Sequence, residues 1–452
     1  MRRHYRLGVA GFAAVAATVL AAGCSSSTSS SAPAAATSAT AGTSAPASPG
    51  TGGQGAQSVT NYVTYTGGKS GPADKSLAPV YIGFVNQQGG PTAVGLLATA
   101  GAQMAVNYAN AELGGIDGHP IQLVTCFIAS AEEEGTTCAQ KFLANKKINV
   151  INLGGVAVGV QSFYSTLHGA IPVIDGVAAT PIDTTQKNAV ILFGDATHIL
   201  PPFGTYAKDV LHAKTAALVY PSDNAGIAIG AAAIKQGLQA AGVTVKSVGY
   251  SESTTDLTSV LTAAGAQTAD MVIPYSDTAG CVNLAKGLTA LGITDPKKIV
   301  SAPLCLNGQV IAGLGDWPHW TYAIASSLFG DPTDPGMPPY MAVASKYSTP
   351  ANAPDPWNIV NFGQMLTTIK IMNEVGYANL SPSAILAKAE AFTGPQALGA
   401  PSHACGKYSS APAVCNDRIQ LFEYAGGVTK GRPDWVKMSG WIQPPSGTGP
   451  PS

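Results

Sequence analysis

Short apolar runs alternate with longer helical patterns from residue 79 onward. Strands are predicted over 79–85, 120–127, 148–153 and 170–175, and helical patterns separate them. Because strand and helix alternate four times in a row, we expect a parallel sheet with helices on both faces.

A second run repeats the scheme. Its predicted strands are 216–221, 243–250, 269–275 and 297–304. Helices are predicted between them, over 225–240, 257–264 and 278–291. Two such halves of about 110 residues each predict an α/β fold with two Rossmann-like lobes.

The rest of the chain completes the two lobes. The remaining elements are a crossing strand (320–327), two helices (340–347 and 357–375) and a strand pair (418–427). We predict a hinged molecule with a first lobe of 79–195 plus 330–380 and a second lobe of 196–329 plus 381–445. Hinges are expected near 193–198 and 325–329, with a ligand cleft between the lobes.

The first residues have the pattern of an export signal. Three arginines precede an apolar run, Leu7 to Ala22, that is shorter than the about 20 residues of a membrane-spanning helix. We predict a signal peptide over 1–23, cleaved before Cys24. The stretch LAAGC resembles the lipobox of bacterial lipoproteins, which implies lipidation of Cys24. An ordinary cleaved signal is the alternative, and Arg2-Arg3 also suggests twin-arginine export.

Two segments have the composition of disordered chain. Residues 24–78 are almost wholly Ser, Ala, Thr, Gly and Pro, too poor in apolar surface to offset their conformational entropy. We predict that they form a linker between a membrane surface and the folded part. Residues 446–452 are predicted to be a flexible tail.

Six cysteines remain after Cys24, and an even number in an exported chain favours disulfides. Fifteen pairings are possible, but the cysteines fall into three sequence-local couples. We therefore predict Cys126–Cys138, Cys281–Cys305 and Cys405–Cys415. No CxxC spacing occurs and no His lies at ligand spacing from a Cys, so we expect no metal site.

Charge and motifs narrow the function. Only 11% of residues are charged, the net charge is −1 and no basic stripe occurs, which argues against nucleic acid as a partner. The absence of GxxxxGK[ST], HExxH and GxSxG motifs argues against an ATPase or a hydrolase. We expect no catalytic residues and no cofactor. Trp317, Trp320 and Trp357 are interpreted mainly as packing residues.

Several stretches resemble one family. They are IGFVNQQGG (82–90), NAELGGIDGHPIQLV (110–124) and IPVIDGVAATP (171–181). The resemblance is to the type I periplasmic substrate-binding proteins of ABC importers, of the leucine/isoleucine/valine-binding kind. It implies the type I periplasmic binding protein fold, ABC permease and ATPase subunits as partners, and an extracytoplasmic location. With Cys24, it implies attachment to the cell membrane through a lipid anchor.

Ligands of open parallel sheets bind beyond the carboxyl ends of the strands. The loops at these ends supply our candidate ligand-binding residues. They are Gln87, Gln88, Gly155, Val156, Ala157, Ala178, Ala179, Thr180, Tyr220, Asn224, Tyr275, Ser276, Asp277 and Leu304.

The resemblance implies roles for two of these loops. Ala178, Ala179 and Thr180 match the loop that holds the ligand carboxylate in the amino-acid binders; a plain turn with Thr180 as a helix cap is the alternative. Leu304 stands where the family has an acidic partner for the ligand ammonium; Asp277 or Asp223 could substitute for that acid, but neither is at the matching place. A buried ammonium without a partner costs several kcal/mol. The solute is therefore predicted to be amino-acid-like or, more in keeping with this lining, a neutral or apolar organic molecule.

The function predicted from the sequence is an extracytoplasmic solute-binding lipoprotein that delivers a small molecule to a membrane permease. A ligand-sensing lipoprotein of the same fold, signalling to a membrane partner, is the alternative. A surface hydrolase is a third possibility, against which the missing nucleophile motifs argue.

Overall fold

The computed structural model describes residues 58–90 and 95–448, all within one structural unit, Gly55–Ser452. The predicted signal peptide, Cys24, most of the predicted linker and the end of the tail lie outside the described residues. Among the described residues, no helix is long and apolar enough to cross a membrane.

The described strands follow the predicted apolar runs closely. They are β1 (Val80–Gln87), β2 (Ile121–Ile128), β3 (Ile148–Leu153), β4 (Val173–Asp175), β5 (Ala189–Ile191), β6 (Thr215–Pro221), β7 (Thr244–Tyr250), β8 (Met271–Pro274), β9 (Val300–Ser301), β10 (Thr321–Ile324), β11 (Gln420–Gly426) and β12 (Asp434–Lys437).

The α-helices lie mostly between these strands. They are α1 (Tyr62–Thr66), α2 (Ala98–Glu112), α3 (Glu132–Ala144), α4 (Val160–Leu167), α5 (Pro181–Thr184), α6 (Ala196–Ile199), α7 (Phe203–Asp209), α8 (Ala225–Ala240), α9 (Thr258–Ala264), α10 (Thr278–Ala290), α11 (Gly308–Leu314), α12 (Met337–Tyr347), α13 (Pro356–Val375) and α14 (Pro382–Glu390).

The first lobe is built on a five-stranded parallel sheet of order β2-β1-β3-β4-β5. Strand β1 is buried along almost its whole length, as expected where helices cover both faces of a parallel sheet. The sheet confirms the strand–helix alternation predicted from the sequence.

The second lobe has a mixed sheet. Strands β7, β6 and β8 are parallel, and a bridge between Val272 and Ile299 joins them to β9 and β10. Strand β11 is antiparallel to β10, and β12 is antiparallel to β11. The two lobes confirm the predicted α/β fold class.

Residues 381–415 lie in the first lobe, which corrects the predicted lobe boundaries. Ile385 and Ala389 of α14 belong to the first lobe's hydrophobic core. Ile191 of β5 donates its backbone N–H to Ala413 O at 2.7 Å and accepts one from Cys415 N at 3.1 Å, so this segment extends the first sheet. The chain returns to the second lobe only at about residue 418.

The predicted linker ends earlier than residue 78. Helix α1 begins after Asn61, whose side chain accepts from Thr64 N at 3.0 Å. Tyr62 and Tyr65 of this helix are buried in the first lobe's core, and Tyr65 Oη lies 2.8 Å from Thr367 Oγ1 of α13. Residues 58–78 therefore belong to the folded domain.

Three segments cross between the lobes, near residues 192–196, 325–329 and 415–419; we call them the hinge segments. The third was not predicted. Asn416 Nδ2 donates to Phe193 O at 3.2 Å, which joins the third segment to the first. Gln420 Nε2 donates to Ser326 O at 3.0 Å, which joins β11 to the second.

The three predicted disulfides are confirmed: Cys126–Cys138, Cys281–Cys305 and Cys405–Cys415. Each closes a loop of between 10 and 24 residues within one lobe. The three disulfides therefore cross-link residues within a lobe, and none of them links one lobe covalently to the other.

Candidate functional site

The loop after β3 is held in place by amide side chains at the end of β1. Asn86 is fully buried, and its Oδ1 accepts from Gly155 N at 3.0 Å. Gln87 Oε1 accepts from Ala157 N at 2.8 Å and from Val158 N at 3.1 Å. These two amides shape the loop, so the structure gives Gln87 a supporting role in the candidate site.

Gln88 presents an amide at the same edge of the sheet. Its Oε1 accepts from Asn86 Nδ2 at 3.0 Å and from Thr99 Oγ1 at 2.6 Å. Its Nε2 makes no hydrogen bond with a described residue. Because Gln88 is only half-buried, this nitrogen is a candidate donor for a bound solute.

Trp357 adds an aromatic ring to the first lobe's edge. It stands in the first turn of α13, where Asp355 Oδ1 accepts from Trp357 N at 2.9 Å. A methyl group on Gly155 would lie 3.0 Å from Trp357 Cη2, and one on Gly95 would lie 3.1 Å from Cε3. The half-buried indole can approach these backbones because both residues are glycines.

Helix α13 is fastened to the carboxyl ends of β3 and β4. Gln364 is fully buried, and its Nε2 donates to Leu153 O at 2.9 Å and to Ile174 O at 2.6 Å. Gln364 Oε1 and Asn361 Oδ1 are buried and have no partner among the described residues. This helix was not predicted as part of the site. The sequence feature that could have indicated its role is a series of polar residues at helical spacing within an apolar helix: Asn358, Asn361, Gln364, Thr367 and Thr368.

Thr180 has both of its donors engaged within its own loop. Its backbone N and its Oγ1 donate to Asp183 Oδ2, at 3.1 and 2.7 Å. This is a capping box at the start of α5, the alternative considered for this loop. Ala178 is buried, with its N–H donating to Gly194 O at 3.2 Å, while Ala179 is exposed.

Behind this loop lies a buried acidic group at the end of β4. Asp175 is fully buried, and neither of its carboxylate oxygens has a partner among the described residues. Burial, and then the charges of Asp183 and Asp195, raise the pKa of Asp175 well above its ordinary value. Asp195 is paired with His198 Nδ1 at 2.5 Å. Burial therefore favours the protonated form of Asp175.

In the second lobe, the loop after β6 caps helix α8. Asn224 Oδ1 accepts from Ile227 N at 3.1 Å. Asp223 is exposed and accepts from Ser251 Oγ at 2.7 Å and from Glu252 N at 3.0 Å. Tyr220, at the end of the strand, is half-buried and remains available at the lobe's edge.

Two predicted residues after β8 are turned into the second lobe. Tyr275 is 5% exposed and packs in the core, where a methyl group on Gly230 would lie 2.2 Å from its Oη. Ser276 is 1% exposed, with its Oγ 2.7 Å from Tyr250 Oη. Asp277 caps α10 by accepting from Gly280 N at 2.8 Å. The structure therefore leaves Asp277 as the half-buried polar residue of this loop.

Leu304 stands exposed on the turn after β9. Its side chain is 42% exposed, and the neighbouring Cys305 is bonded to Cys281 of α10. Asn307 Nδ2 donates to Leu304 O at 2.9 Å and to Thr278 Oγ1 at 3.0 Å. The disulfide and this amide fasten two loops of the second lobe to each other.

Comparisons with known proteins agree with this architecture. A family model described as periplasmic binding protein matches residues 79–407. A search of curated proteins found no match. Among solved structures, an ABC transporter substrate-binding protein from Sphaerobacter thermophilus aligns with a TM-score of 0.66 at 16% identity, covering 81% of this chain and 99% of that one.

Two further solved structures are similar. A solute-binding protein of an ABC transporter from R. palustris, in complex with 4-hydroxybenzoate, has a TM-score of 0.62 at 15% identity over 81% of this chain and 98% of that one. A branched-chain amino acid transporter substrate-binding protein from Streptococcus pneumoniae, in complex with isoleucine, has a TM-score of 0.61 at 17% identity over 80% of this chain and 100% of that one. At these identities the likeness shows the type I periplasmic binding protein fold. Because the family model spans most of the chain, the protein belongs to the periplasmic binding protein family.

Proposed function

We propose that this protein is the extracytoplasmic solute-binding component of an ABC importer. It takes a small organic molecule into the cleft between its lobes and delivers it to a membrane permease with its ATPase subunits. The observation that supports this most directly is the architecture: two α/β lobes, each with loops at the carboxyl ends of its parallel strands, joined by three hinge segments.

The proposed cycle depends on closure of the lobes around the solute. A solute shifts the equilibrium toward a closed form only if it binds that form more tightly than the open one. Loops from both lobes must therefore contact it. In the first lobe these are the loops after β1, β3 and β4 together with Trp357; in the second they are the loops after β6, β8 and β9.

Lipidation at Cys24 completes the proposal. A cysteine-linked acyl group at the start of the mature chain holds the binding domain near its permease. Variant Cys24→Ala is expected to leave the membrane fraction, and mass spectrometry of the wild-type N-terminal peptide is expected to show an acylated Cys24. Unmodified Cys24 on a membrane-free protein would refute this part.

The binding proposal is tested on the chain from residue 25 onward, which keeps the whole unit Gly55–Ser452. A thermal-shift screen against small organic solutes should give stabilising compounds, since a ligand at 100 times its Kd stabilises by about 2.7 kcal/mol. Absence of any stabilising solute would contradict the proposal.

An uptake assay distinguishes a transport function from a sensing function. Cells lacking this protein should lose uptake of the labelled solute found in the screen. Unchanged uptake together with a lost transcriptional response would favour the sensor.

A further inference from the structure

The six loops at the strand ends contain no cation. The described residues 86–90, 95–97, 154–159 and 176–180 of the first lobe include no Lys, Arg or His, and neither do 221–226, 275–280 and 302–308 of the second. Their charged residues are Asp223 and Asp277. An anion entering between these loops would meet negative charge without a positive partner.

Several neutral donors of the first lobe are already engaged in hydrogen bonds within the protein. Gly155 N donates to Asn86, and Ala157 N donates to Gln87. The two donors of Thr180 are held by Asp183. A desolvated carboxylate needs several such donors, since burying an unpaired charge costs several kcal/mol.

Apolar side chains also stand at these edges. Leu96 of the first lobe is 64% exposed, and Trp357 and Val177 are half-buried nearby in the same lobe. Leu304 of the second lobe is exposed as well. With Gln88 Nε2 as a polar donor, this lining suits an apolar body that has a neutral hydrogen-bond acceptor.

We infer that the cleft takes an uncharged, mainly apolar organic solute and rejects carboxylates. This inference rests on the solute-binding function proposed above and specifies its substrate class. It departs from the carboxylate-holding role that the resemblance implied for Ala178, Ala179 and Thr180, because Asp183 occupies the donors that such a role requires.

The test uses pairs of probes with one shape and different charge: benzamide with benzoate, and 4-methylpentanamide with 4-methylpentanoate. L-Leucine is added as a zwitterion. Calorimetry and thermal shift on the chain from residue 25 onward should show each amide binding at least about tenfold more tightly than its carboxylate, which is about 1.4 kcal/mol. A carboxylate or leucine that binds as tightly as the amides would overturn the inference while leaving the proposed function intact.

Where none of these probes binds, the formal charge of the solutes found in the wider screen decides the inference. Uncharged hits support it, and charged hits, whether anionic, zwitterionic or cationic, overturn it. If the wider screen finds no solute at all, the proposed function fails and the inference fails with it.

Two variants test the role given to Thr180. Asp183→Ala releases both Thr180 donors and should raise benzoate affinity several-fold. Asp256→Ala is the matched control, because Asp256 Oδ1 accepts from Thr258 N at 3.0 Å and from Thr258 Oγ1 at 2.7 Å in an exposed cap of the second lobe. The control should leave benzoate affinity unchanged.

Thr180→Val is the second test, because Asp183 is buried and its variant can lose folded protein. This change should leave the affinity for the uncharged solute within about twofold, since the Thr180 hydroxyl is engaged by Asp183. A loss of tenfold or more would show that Thr180 contacts the solute and would overturn the inference.

Discussion

Replacement of Asp175 by Asn should stabilise the protein at neutral pH. Asp175 is fully buried, its oxygens have no described partner, and its pKa is raised well above the ordinary 3.8. Because the unfolded carboxyl ionises with the ordinary pKa of 3.8, a raised folded-state pKa lowers stability at pH 7 by at most 3.2 pH units at 1.36 kcal/mol each, or about 4 kcal/mol. Asparagine has a similar shape and no proton to take up. We therefore expect a gain of about 2–4 kcal/mol in the free energy of unfolding at pH 7.

The pH dependence gives the sign of the effect. Because the folded-state pKa of Asp175 is raised, its contribution to the free energy of unfolding of the wild-type protein is fully present below about pH 4. That contribution is lost as pH rises through the folded-state pKa. The advantage of Asp175→Asn should therefore be large at pH 7 and vanish near pH 3.5. Urea unfolding followed by circular dichroism, repeated across this range, measures it.

Asp270→Asn is the control of opposite sign. Asp270 is exposed, and its pKa is lowered by hydrogen bonds from Lys214 N and from the side chain and backbone of Thr215. That variant should be less stable than wild type at pH 7, with the difference shrinking as pH falls. If Asp175→Asn were destabilising at pH 7, or if its effect did not change with pH, the assignment of a raised pKa to the buried Asp175 would be wrong.

Three further predictions concern the site's supports. Gly155→Ala should press on the Trp357 indole and the Gly95 backbone and weaken solute binding, with a loss of about 1–3 kcal/mol in stability. Gly440→Ala, where nothing lies within 4 Å of the new methyl group, should do neither, as calorimetry of both variants can check. Gln364→Met should lower the free energy of unfolding by about 2 kcal/mol in urea titrations, because it removes two buried hydrogen bonds, whereas Gln103→Met on an exposed face should be neutral. Replacing both Cys281 and Cys305 by Ser opens a loop of 24 residues and should lower stability by about 3 kcal/mol in scanning calorimetry; unchanged stability would contradict the loop-entropy argument.

The fold was predictable because its elements are local and periodic. Buried parallel strands such as β1 and β3 appear as short apolar runs, and the disulfides join cysteines that are close in sequence. The first-lobe position of 381–415 was not predictable in this way. Its contacts with β5 are made by an irregular segment around Ala413, and no apolar periodicity indicates which sheet it joins.

The ordered segment before β1 was missed for a related reason. Helix α1 has five residues, too few for a periodic pattern, and it is flanked by small polar residues. The sequence signal for this helix is the pair of tyrosines Tyr62 and Tyr65, which are buried and which a disordered linker has no need for. Two tyrosines three positions apart in an otherwise Ser- and Gly-rich stretch mark where the folded domain begins.

The candidate site was predictable in position and less so in chemistry. Parallel strands place their following loops at one edge, so the loop residues could be named. Whether a side chain faces the solute depends on which other residues it contacts. Thr180 is held by Asp183, Tyr275 packs in the core, and Trp357 joins the edge from a helix more than 150 residues away. Such partners are set by tertiary packing.

The hydrogen bonds between hinge segments limit how the lobes can move. Asn416 couples the third segment to the first, and Gln420 couples the sheet beyond the third segment to the second. A bend in one segment must therefore be matched in its neighbours, whereas a twist that slid them past one another would break these bonds. The lobes should therefore open and close about a single axis, and in the transport cycle proposed above the angle between them is what a permease would recognise.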